Sequence, residues 1–245
     1  MDRSEFIKGK RIVIKLGTNV LRHDDGYVSL PRVYSFIESV ATLVKSGKEV
    51  IIITSGAVSF GKKRLGLENT QGTAIKQACA AIGQGKLMSI YENGFDAYGL
   101  TAAQILLTED DFSVRERYLS LRTTLNKLLE LGVIPVINQN DTVSTLNVAL
   151  RYVKEDLQVC FSDNDKLSAL VASELDADLL IILSDIDGLY DDNPKVNKQA
   201  KLIKSVDEVN DDIMALASGV SEGGRGGMET KLKAARLVTR FGGKV

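Results

Sequence analysis

Arg11-Ile-Val-Ile-Lys15-Leu-Gly17-Thr18 is an apolar run that carries one lysine near its end and then opens into a glycine turn. Successive valine and isoleucine residues are typical of a parallel strand that is buried on both faces. In an open α/β sheet, ligands bind where such strands end. A lysine at this place costs desolvation energy unless its ammonium group meets an anion, and we predict that this anion is a phosphate. The alternative is that Lys15 extends past the strand into water.

The composition limits the class of protein. With 245 residues, 44% hydrophobic and 26% charged, the chain is long enough for one large core or two smaller ones. The 31 basic and 32 acidic residues nearly balance, so we expect no nucleic-acid or membrane partner. Two cysteines and one histidine argue against a disulfide framework, a zinc site and a histidine triad. No signal peptide or membrane span is recognisable, which predicts a cytoplasmic location.

Strand-like and helix-like segments alternate along the chain. Ser29 and Pro31 favour the start of a helix that ends near Gly47, and the β-branched run at 49–54 follows it. This β-α-β opening predicts parallel strands in an α/β domain. Residues 141–161 resemble a hairpin or lid. Further helices are predicted at about 74–93, 115–131, 166–175, 206–217 and 229–240, and further strands at about 100–107, 133–138 and 178–183.

Four loops follow the ends of predicted strands, and they share small residues and isolated charges. Because parallel strands carry their carboxyl ends at one edge of the sheet, we expect these loops to line a single crevice. The Ser55-Gly56 pair is equally well explained as a helix cap. The loops are residues 15–18, 55–57, 138–141 and 184–185.

Two further segments combine small and charged residues at the start of a predicted helix. They are Ser-Asp-Asn-Asp at 162–165 and Gly-Gly-Arg-Gly-Gly-Met-Glu-Thr-Lys at 223–231. Glycines at a helix N-terminus let backbone amides approach an anion, and the helix dipole favours negative charge there. Lys231 would add a positive charge. The alternatives are that the first segment only caps a helix and that the second is a flexible connector.

The stretch Gly56-Ala-Val-Ser-Phe-Gly61-Lys62-Lys63 follows a strand and nearly spells the Walker A loop of a nucleotide-binding protein. That loop needs a serine or threonine hydroxyl for magnesium at its last position. Lys63 stands there instead. The sequence therefore disfavours a P-loop at this place.

Taken together, the candidate residues fit phosphoryl transfer. This reaction needs little covalent chemistry from the protein, but it needs the reactants positioned and the charge on the moving phosphoryl group neutralised. Two lysines, two anion-binding loops and a cluster of carboxylates and amides supply those functions. The shortage of histidine fits a carboxylate acceptor, because its pKa of about 4.3 leaves it ionised at pH 7 without a general base.

Several motifs occur in one order from about Ile12 to the C-terminus. They are Val-Ile-Lys15-Leu-Gly, Thr54-Ser-Gly-Ala57, Lys76 to Gln84, Gln104 to Thr108, Ile137-Asn-Gln-Asn-Asp141, Ser162-Asp-Asn-Asp-Lys166, Ser184-Asp-Ile-Asp-Gly-Leu-Tyr190 and Gly226-Gly-Met-Glu-Thr-Lys231. With these motifs the chain resembles the amino acid kinase superfamily and, within it, the glutamate 5-kinases.

The resemblance implies a three-layer α/β/α sandwich with a mainly parallel central sheet. It also implies that the γ-carboxylate of L-glutamate is phosphorylated by ATP with Mg²⁺, as the first step of proline biosynthesis. Lys15 and Lys231 would stabilise charge on the transferred phosphoryl group, and Asp165 would orient these lysines. L-glutamate would be bound by Ser55, Gly56, Asp141 and Asn164. ATP would contact Lys15, Ser184, Asp185, Arg225, Gly226, Gly227, Met228, Glu229, Thr230 and Lys231, and its phosphates would carry the magnesium without a metal ligand from the chain.

The same resemblance implies one kinase domain over 1–245, with an acceptor lobe at about 1–165 and a nucleotide lobe at about 166–245. It further implies a homo-oligomer, either a dimer or a tetramer, and L-proline as a feedback inhibitor. We expect no C-terminal PUA domain within this sequence, and we expect either the natural chain or its family relatives to continue past Val245.

The sequence departs from the family pattern at a few places. Residues 142–162 form a longer segment than the family usually has, and Ser184 and Asn193 stand where threonine and aspartate are usual. The alternatives are an acetylglutamate kinase, another small-acid or phosphate kinase of the superfamily, or a non-catalytic amino-acid sensor on the same fold. The presence of both Lys15 and Lys231 argues against the sensor, since a sensor needs no transfer lysines.

Overall fold

Five parallel strands form the central sheet. The computed structural model describes residues 6, 8–21, 28–67, 72–143, 164–194, 196–217 and 227–245. Within these ranges the strands lie side by side in the order β3-β4-β2-β1-β5, and every pairing between them is parallel. The strands are β1 Arg11–Leu16, β2 Glu49–Ile53, β3 Ala102–Leu107, β4 Ile134–Gln139 and β5 Leu179–Leu183.

Helices cover both faces of this sheet, which confirms the predicted α/β sandwich. One face packs on α1 and α3, and the other packs on α5, α6 and α8. Every described helix is too short or too polar to cross a membrane. The helices are α1 Leu30–Lys45, α2 Ala57–Leu65, α3 Thr73–Asp96, α4 Asp110–Ser113, α5 Arg115–Glu130, α6 Asn164–Glu174, α7 Asp211–Ala215 and α8 Met228–Arg240, and a short 3₁₀ helix covers Thr18–Leu21.

The alternation of side chains along β1 determines which of the two helical layers Lys15 faces. Ile12, Ile14 and Leu16 belong to the core under α1 and α3, whereas Val13 belongs to the core under α5, α6 and α8. Because side chains alternate between the two faces of a strand, Lys15 lies on the same face as Val13. The strand therefore directs its ammonium group toward α6 and α8.

The carboxyl end of β1 lies where the strand order changes direction. Leaving β1, the chain first forms β2 on one side and much later β5 on the other. Lys15 pairs in register with Ile53 of β2 and with Ile182 of β5. Such a switch point opens a crevice outside the strand ends. The position agrees with the crevice that the sequence predicts.

Four helical regions differ from the sequence-based prediction, and two of them, α4 and the 3₁₀ helix at Thr18–Leu21, are short elements that were not predicted. The predicted helix at 206–217 is wrong in its extent, because α7 begins at Asp211. The Asn210 side chain caps this helix by accepting a hydrogen bond of 3.0 Å from the Ile213 amide, a role for which asparagine is favoured. The Walker A-like stretch forms α2, and no helix was predicted there. Gly56 adopts φ 103° at its start, a conformation open mainly to glycine.

Glycines hold α2 and α3 unusually close together. A Cβ atom on Gly61 would lie 1.9 Å from the Cys79 carbonyl oxygen, and one on Gly83 would lie 1.8 Å from the Ala57 carbonyl oxygen. Both contacts involve backbone atoms that cannot rotate away. The two helices thus meet backbone to backbone, which fixes the loop at residues 54–56 that precedes α2.

Gly83→Ala is expected to destabilise the protein by about 2 kcal/mol, because an added methyl group in a filled contact forces the backbones apart. Urea unfolding would measure the loss. Gly85→Ala is the matched control on the same helix: Gly85 is exposed, and a Cβ there would meet no atom within 4 Å. It should be neutral or stabilise by up to about 1 kcal/mol. Equal stability of the two variants would contradict the close packing.

The outer edge of β5 is partly covered by the end of the chain. Lys244 forms a parallel bridge with Leu179, and the Leu180 amide donates to the Lys244 carbonyl at 2.8 Å. Residues 242–245 thus place the backbone beside β5 in the strand direction.

Candidate active site

A buried carboxylate joins two lysines beyond the end of β1. Asp165 is fully buried in the first turn of α6. Its Oδ1 atom lies 2.5 Å from Lys15 Nζ, and its Oδ2 atom lies 3.3 Å from Lys231 Nζ. Lys15 comes from β1 and Lys231 from the first turn of α8, so three elements meet at this carboxylate. The structure thus brings together all three residues expected to be catalytic.

The charge state of Asp165 is determined by its partners. Burial alone would raise its pKa, but the Lys15 ammonium, followed by Lys231 and the Thr230 hydroxyl, holds the pKa of Asp165 below its usual value. The Thr230 hydroxyl lies 2.9 Å from Asp165 Oδ2 and 2.9 Å from the Gly227 carbonyl, so its single proton serves one of them at a time. Asp165 is therefore a carboxylate at neutral pH, with two cations beside it.

This lowered pKa predicts a pH dependence of stability. A carboxylate whose pKa is lower in the folded state stabilises the fold above its unfolded value of about 3.9, and the stabilisation is lost as the pH falls through the folded value. The difference in unfolding free energy between wild type and Asp165→Asn should be constant above about pH 5 and should shrink below about pH 4. Urea unfolding from pH 3.5 to 7 measures it. A difference that grows on acidification would contradict the ionised state.

Amide side chains form the neighbouring part of the crevice, at the ends of β2 and β4. Asn164 Nδ2 donates to the Thr54 carbonyl at 2.6 Å and to Asn138 Oδ1 at 3.2 Å. Thr54 follows β2 and Asn138 belongs to β4. The predicted acceptor residue Asn164 thus lies next to Asp165 in the chain and is bonded to two strand ends.

The remaining predicted acceptor residues surround the same strand ends. Ser55 Oγ donates to the Leu16 carbonyl at 3.0 Å, which joins the loop after β2 to the end of β1. Gly56 starts α2. The Asp141 amide donates to the Gln139 carbonyl at 2.9 Å in the turn after β4. The predicted hairpin or lid at 141–161 falls mostly on 144–163, which lie outside the described residues.

The loop after β5 contains Ser184 and Asp185, two of the residues that are predicted to contact ATP. Asn19 Nδ2 donates to Asp185 Oδ2 at 3.0 Å, and Ser184 Oγ donates to Asp185 Oδ1 at 3.2 Å. The hydrogen bond from Asn19 is the main reason that the pKa of Asp185 lies below its usual value. In addition, the Gly17 amide donates to the Leu183 carbonyl at 3.1 Å. The glycine turn after β1 and the loop after β5 are thereby held together.

The start of α8 carries the other predicted nucleotide residues. Gly227 precedes the helix and Met228 is its first residue, both half-buried. Glu229 is exposed and forms an ion pair of 2.7 Å with Lys233 on the helix surface. Arg225 and Gly226 lie outside the described residues. The Walker A alternative finds no support, because its two lysines lie in the last turn of α2 and not at a helix N-terminus.

Residues 10–244 match the model of the amino acid kinase family. The chain belongs to the amino acid kinase family. Among curated members, it is 47% identical over 237 residues to glutamate 5-kinase of Caldanaerobacter subterraneus subsp. tengcongensis, which covers 96% of this chain and 61% of that protein. It is 45% identical over 235 residues to glutamate 5-kinase 2 of Bacillus subtilis, covering 95% and 60%. The chain thus spans about three fifths of the length of these relatives.

Solved structures of other kinases share the fold. Carbamate kinase from Giardia lamblia bound to AMP-PNP superposes with a TM-score of 0.63 at 15% identity, over 96% of this chain and 91% of that one. A product complex of T. acidophilum isopentenyl phosphate kinase gives a TM-score of 0.60 at 16% identity, over 94% and 87%. At these identities the likeness establishes the fold and nothing further.

Some residues of the candidate site were given no functional role from the sequence. Asn19, Thr54, Gln84 and Gln104 form hydrogen bonds at or behind the crevice. Gln84 is buried within α3. A polar amide at a position that helical spacing assigns to the core was the available signal, since such a group requires hydrogen-bond partners.

Proposed function

We propose that the chain transfers the γ-phosphoryl group of ATP to the γ-carboxylate of L-glutamate, as a glutamate 5-kinase does. The pairing of Lys15 and Lys231 on the single buried carboxylate Asp165 carries this proposal. Two cations held at fixed places beside a crevice suit a reaction in which charge spreads over a moving phosphoryl group. The names of the curated relatives, glutamate 5-kinase at 44–47% identity, support glutamate as the acceptor.

In the proposed reaction, an oxygen of the γ-carboxylate attacks the γ-phosphorus, and the bond from that phosphorus to the β,γ-bridging oxygen breaks, releasing ADP. Lys15 and Lys231 neutralise the negative charge that the two anions bring together. Asp165 keeps both ammonium groups in place, because each is hydrogen-bonded or ion-paired to a different oxygen of its carboxylate. No residue has to remove a proton, since the acceptor is already ionised at pH 7.

Magnesium would enter this site with the nucleotide. In the described part of the chain, His, Cys, Asp and Glu side chains do not gather in groups of three or more that could hold a metal ion. Mg²⁺ is usually bound through substrate phosphates with few ligands from the protein, so we expect the ATP phosphates to carry it. When bound, the ion neutralises phosphate charge and orients the polyphosphate.

The test is ADP release from Mg-ATP with L-glutamate, N-acetyl-L-glutamate, L-aspartate, carbamate or UMP, with hydroxylamine present to trap an acyl phosphate. Turnover with L-glutamate alone, accompanied by γ-glutamyl hydroxamate, is the expected result. Turnover with another of these compounds in place of L-glutamate would show that this compound is the acceptor. ATP binding without turnover of any acceptor would favour the non-catalytic sensor.

Other features of the family stay predictions for this chain. They are inhibition by L-proline, assembly into a dimer or tetramer, a cytoplasmic location, and the division into an acceptor lobe up to about 165 and a nucleotide lobe after it. The division is supported by the placement of Ser55 and Asn164 around β2 and β4 on one side of Lys15, and of Asp185 after β5 on the other.

A further inference from the structure

Four side-chain amides form a row from the crevice to the edge of the sheet, and we call this row the amide relay. Its members are Asn164, Asn138, Gln84 and Gln104. Asn164 Nδ2 donates to Asn138 Oδ1 at 3.2 Å, Asn138 Nδ2 donates to Gln84 Oε1 at 2.9 Å, and Gln84 Nε2 donates to Gln104 Oε1 at 3.1 Å. The relay joins α6, β4, α3 and β3.

Two backbone groups determine the direction of the relay. The Gln139 amide, which can only donate, bonds to Asn138 Oδ1 at 2.9 Å. The Thr54 carbonyl, which can only accept, takes a hydrogen bond from Asn164 Nδ2 at 2.6 Å. An amide side chain has oxygen on one side and NH₂ on the other, so each backbone group permits one orientation of its partner. Neither Asn138 nor Asn164 can turn over without losing such a bond.

The orientation of Asn138 is passed on to the two glutamines. Asn138 Oδ1 already accepts two hydrogen bonds, so its NH₂ group must face Gln84. Gln84 then has to present its oxygen to Asn138 and its NH₂ group to Gln104. Asn138 is 2% exposed and Gln84 is 8% exposed. At such burial a donor without an acceptor is costly, which keeps the relay in one state.

The relay leaves one atom of Asn164 for a ligand. Both hydrogens of its NH₂ group are used, by the Thr54 carbonyl and by Asn138. Its Oδ1 atom has no hydrogen-bond partner among the residues that the structure describes, and the residue is only half-buried. An amide oxygen held in this way accepts hydrogen bonds, which suits the α-ammonium group of an amino acid and not a second anion.

We propose that Gln84 and Gln104 are positioning residues for the acceptor pocket: through Asn138 they keep the Asn164 amide with its oxygen available for the α-ammonium group of the substrate. The proposal rests on L-glutamate being the acceptor. The α-ammonium group keeps its charge throughout phosphoryl transfer, so this contact stabilises the bound substrate and the transition state equally. Loss of the relay should therefore raise KM for L-glutamate and leave kcat unchanged.

The test uses near-isosteric changes in the 245-residue chain. Gln84→Met removes both bonds of the central glutamine and should raise KM for L-glutamate about tenfold. KM for ATP and kcat should stay within about twofold of wild type. Ser89→Ala is the matched control, because it removes the bond from Ser89 Oγ to the Gly85 carbonyl on the same helix without touching the relay. It should leave all three constants unchanged.

Gln104 offers a second pair of variants at an exposed position, where folding is not at risk. Gln104→Glu keeps an oxygen that accepts from Gln84 Nε2 and should behave like wild type. Gln104→Met removes that acceptor and should raise KM for L-glutamate about threefold. Equal KM values for the Glu and Met variants, or a loss in kcat with KM unchanged, would overturn the proposal.

A readout without turnover separates this proposal from the proposed function. If wild type shows no turnover of L-glutamate, the proposed function fails, and hydrogen exchange of the side-chain amides, followed by NMR, then decides on the relay. Exchange at the Gln84 and Asn138 side chains should be slow in wild type and in Gln104→Glu, and faster in Gln104→Met. Equal exchange in all three proteins would overturn the relay itself.

Discussion

Lys231→Met is expected to lower kcat by about 100- to 1,000-fold, because removing one preorganised cation or donor from a transition state has effects of this size. KM for L-glutamate should change little, since Lys231 is bonded to Asp165 and is proposed to act on the transferred phosphoryl group and not on the acceptor. Methionine keeps most of the apolar length of the side chain. Steady-state kinetics with hydroxamate detection would measure both constants.

Lys233→Met is the matched control for Lys231→Met. Lys233 lies on the same helix, two residues away, but its side chain is exposed and pairs with Glu229. Surface pairs of this kind contribute little to stability, and Lys233 does not reach Asp165. The control should therefore keep wild-type kcat. A similar loss of kcat in both variants would show that kcat depends on the structure of the first turn of α8 and not on the Lys231 ammonium group.

Asp165→Asn is expected to destabilise the folded chain by about 3 kcal/mol and to abolish most activity. Removing one partner of a buried ion pair leaves an uncompensated charge, and such changes typically cost about 3–5 kcal/mol. Here two ammonium groups would lose their anion, although Lys231 is open enough to regain some hydration, with 15% of its side chain exposed. Urea unfolding at pH 7 measures the loss.

Two further variants make this test specific. Asp110→Asn removes an exposed carboxylate that lies 3.8 Å from Arg117, and it should cost less than about 1 kcal/mol. Combining Lys15→Met with Asp165→Asn removes the more deeply buried of the two cations, so the double variant should be more stable than Asp165→Asn alone. If Lys15→Met lowered the stability of Asp165→Asn further, the unpaired buried charge would not be the cause of the destabilisation by Asp165→Asn.

The fold was largely predictable, because its signals are local. The sequence alone indicates the β-branched runs of β1, β2 and β5 and the residues that favour the start and the end of α1. The misses have a physical origin. The stretch that forms α2 follows Gly56 and carries three basic residues in its last turn, and the residues that it buries, Ala57 and Gly61, are small. Its stability comes from the contact with α3, which no local pattern reports.

The partners of the site residues were less predictable than the residues themselves. The desolvation argument required an anion for Lys15 and suggested a phosphate, and the structure places the carboxylate of Asp165 beside it, as the resemblance implied. The argument holds, since a buried ammonium needs a partner whether or not a substrate is bound. Sequence spacing could not tell a protein carboxylate from a ligand phosphate. The hydrogen bonds of Gln84 and Asn138 could not be predicted from the sequence either, because they join elements that are remote in sequence.

The position of β1 in the sheet has a consequence for how the chain folds. Ile12 pairs with Leu179, so one flank of this interior strand stays unpaired until the chain has been synthesised as far as β5. Contacts between such remote segments make folding slow. We expect the emerging chain to expose an apolar strand edge during synthesis, the kind of surface that chaperones protect and that leads to aggregation when they do not. The same late pairing aligns Lys15 with its neighbours on both sides, so the candidate crevice is completed only when β5 has joined the sheet.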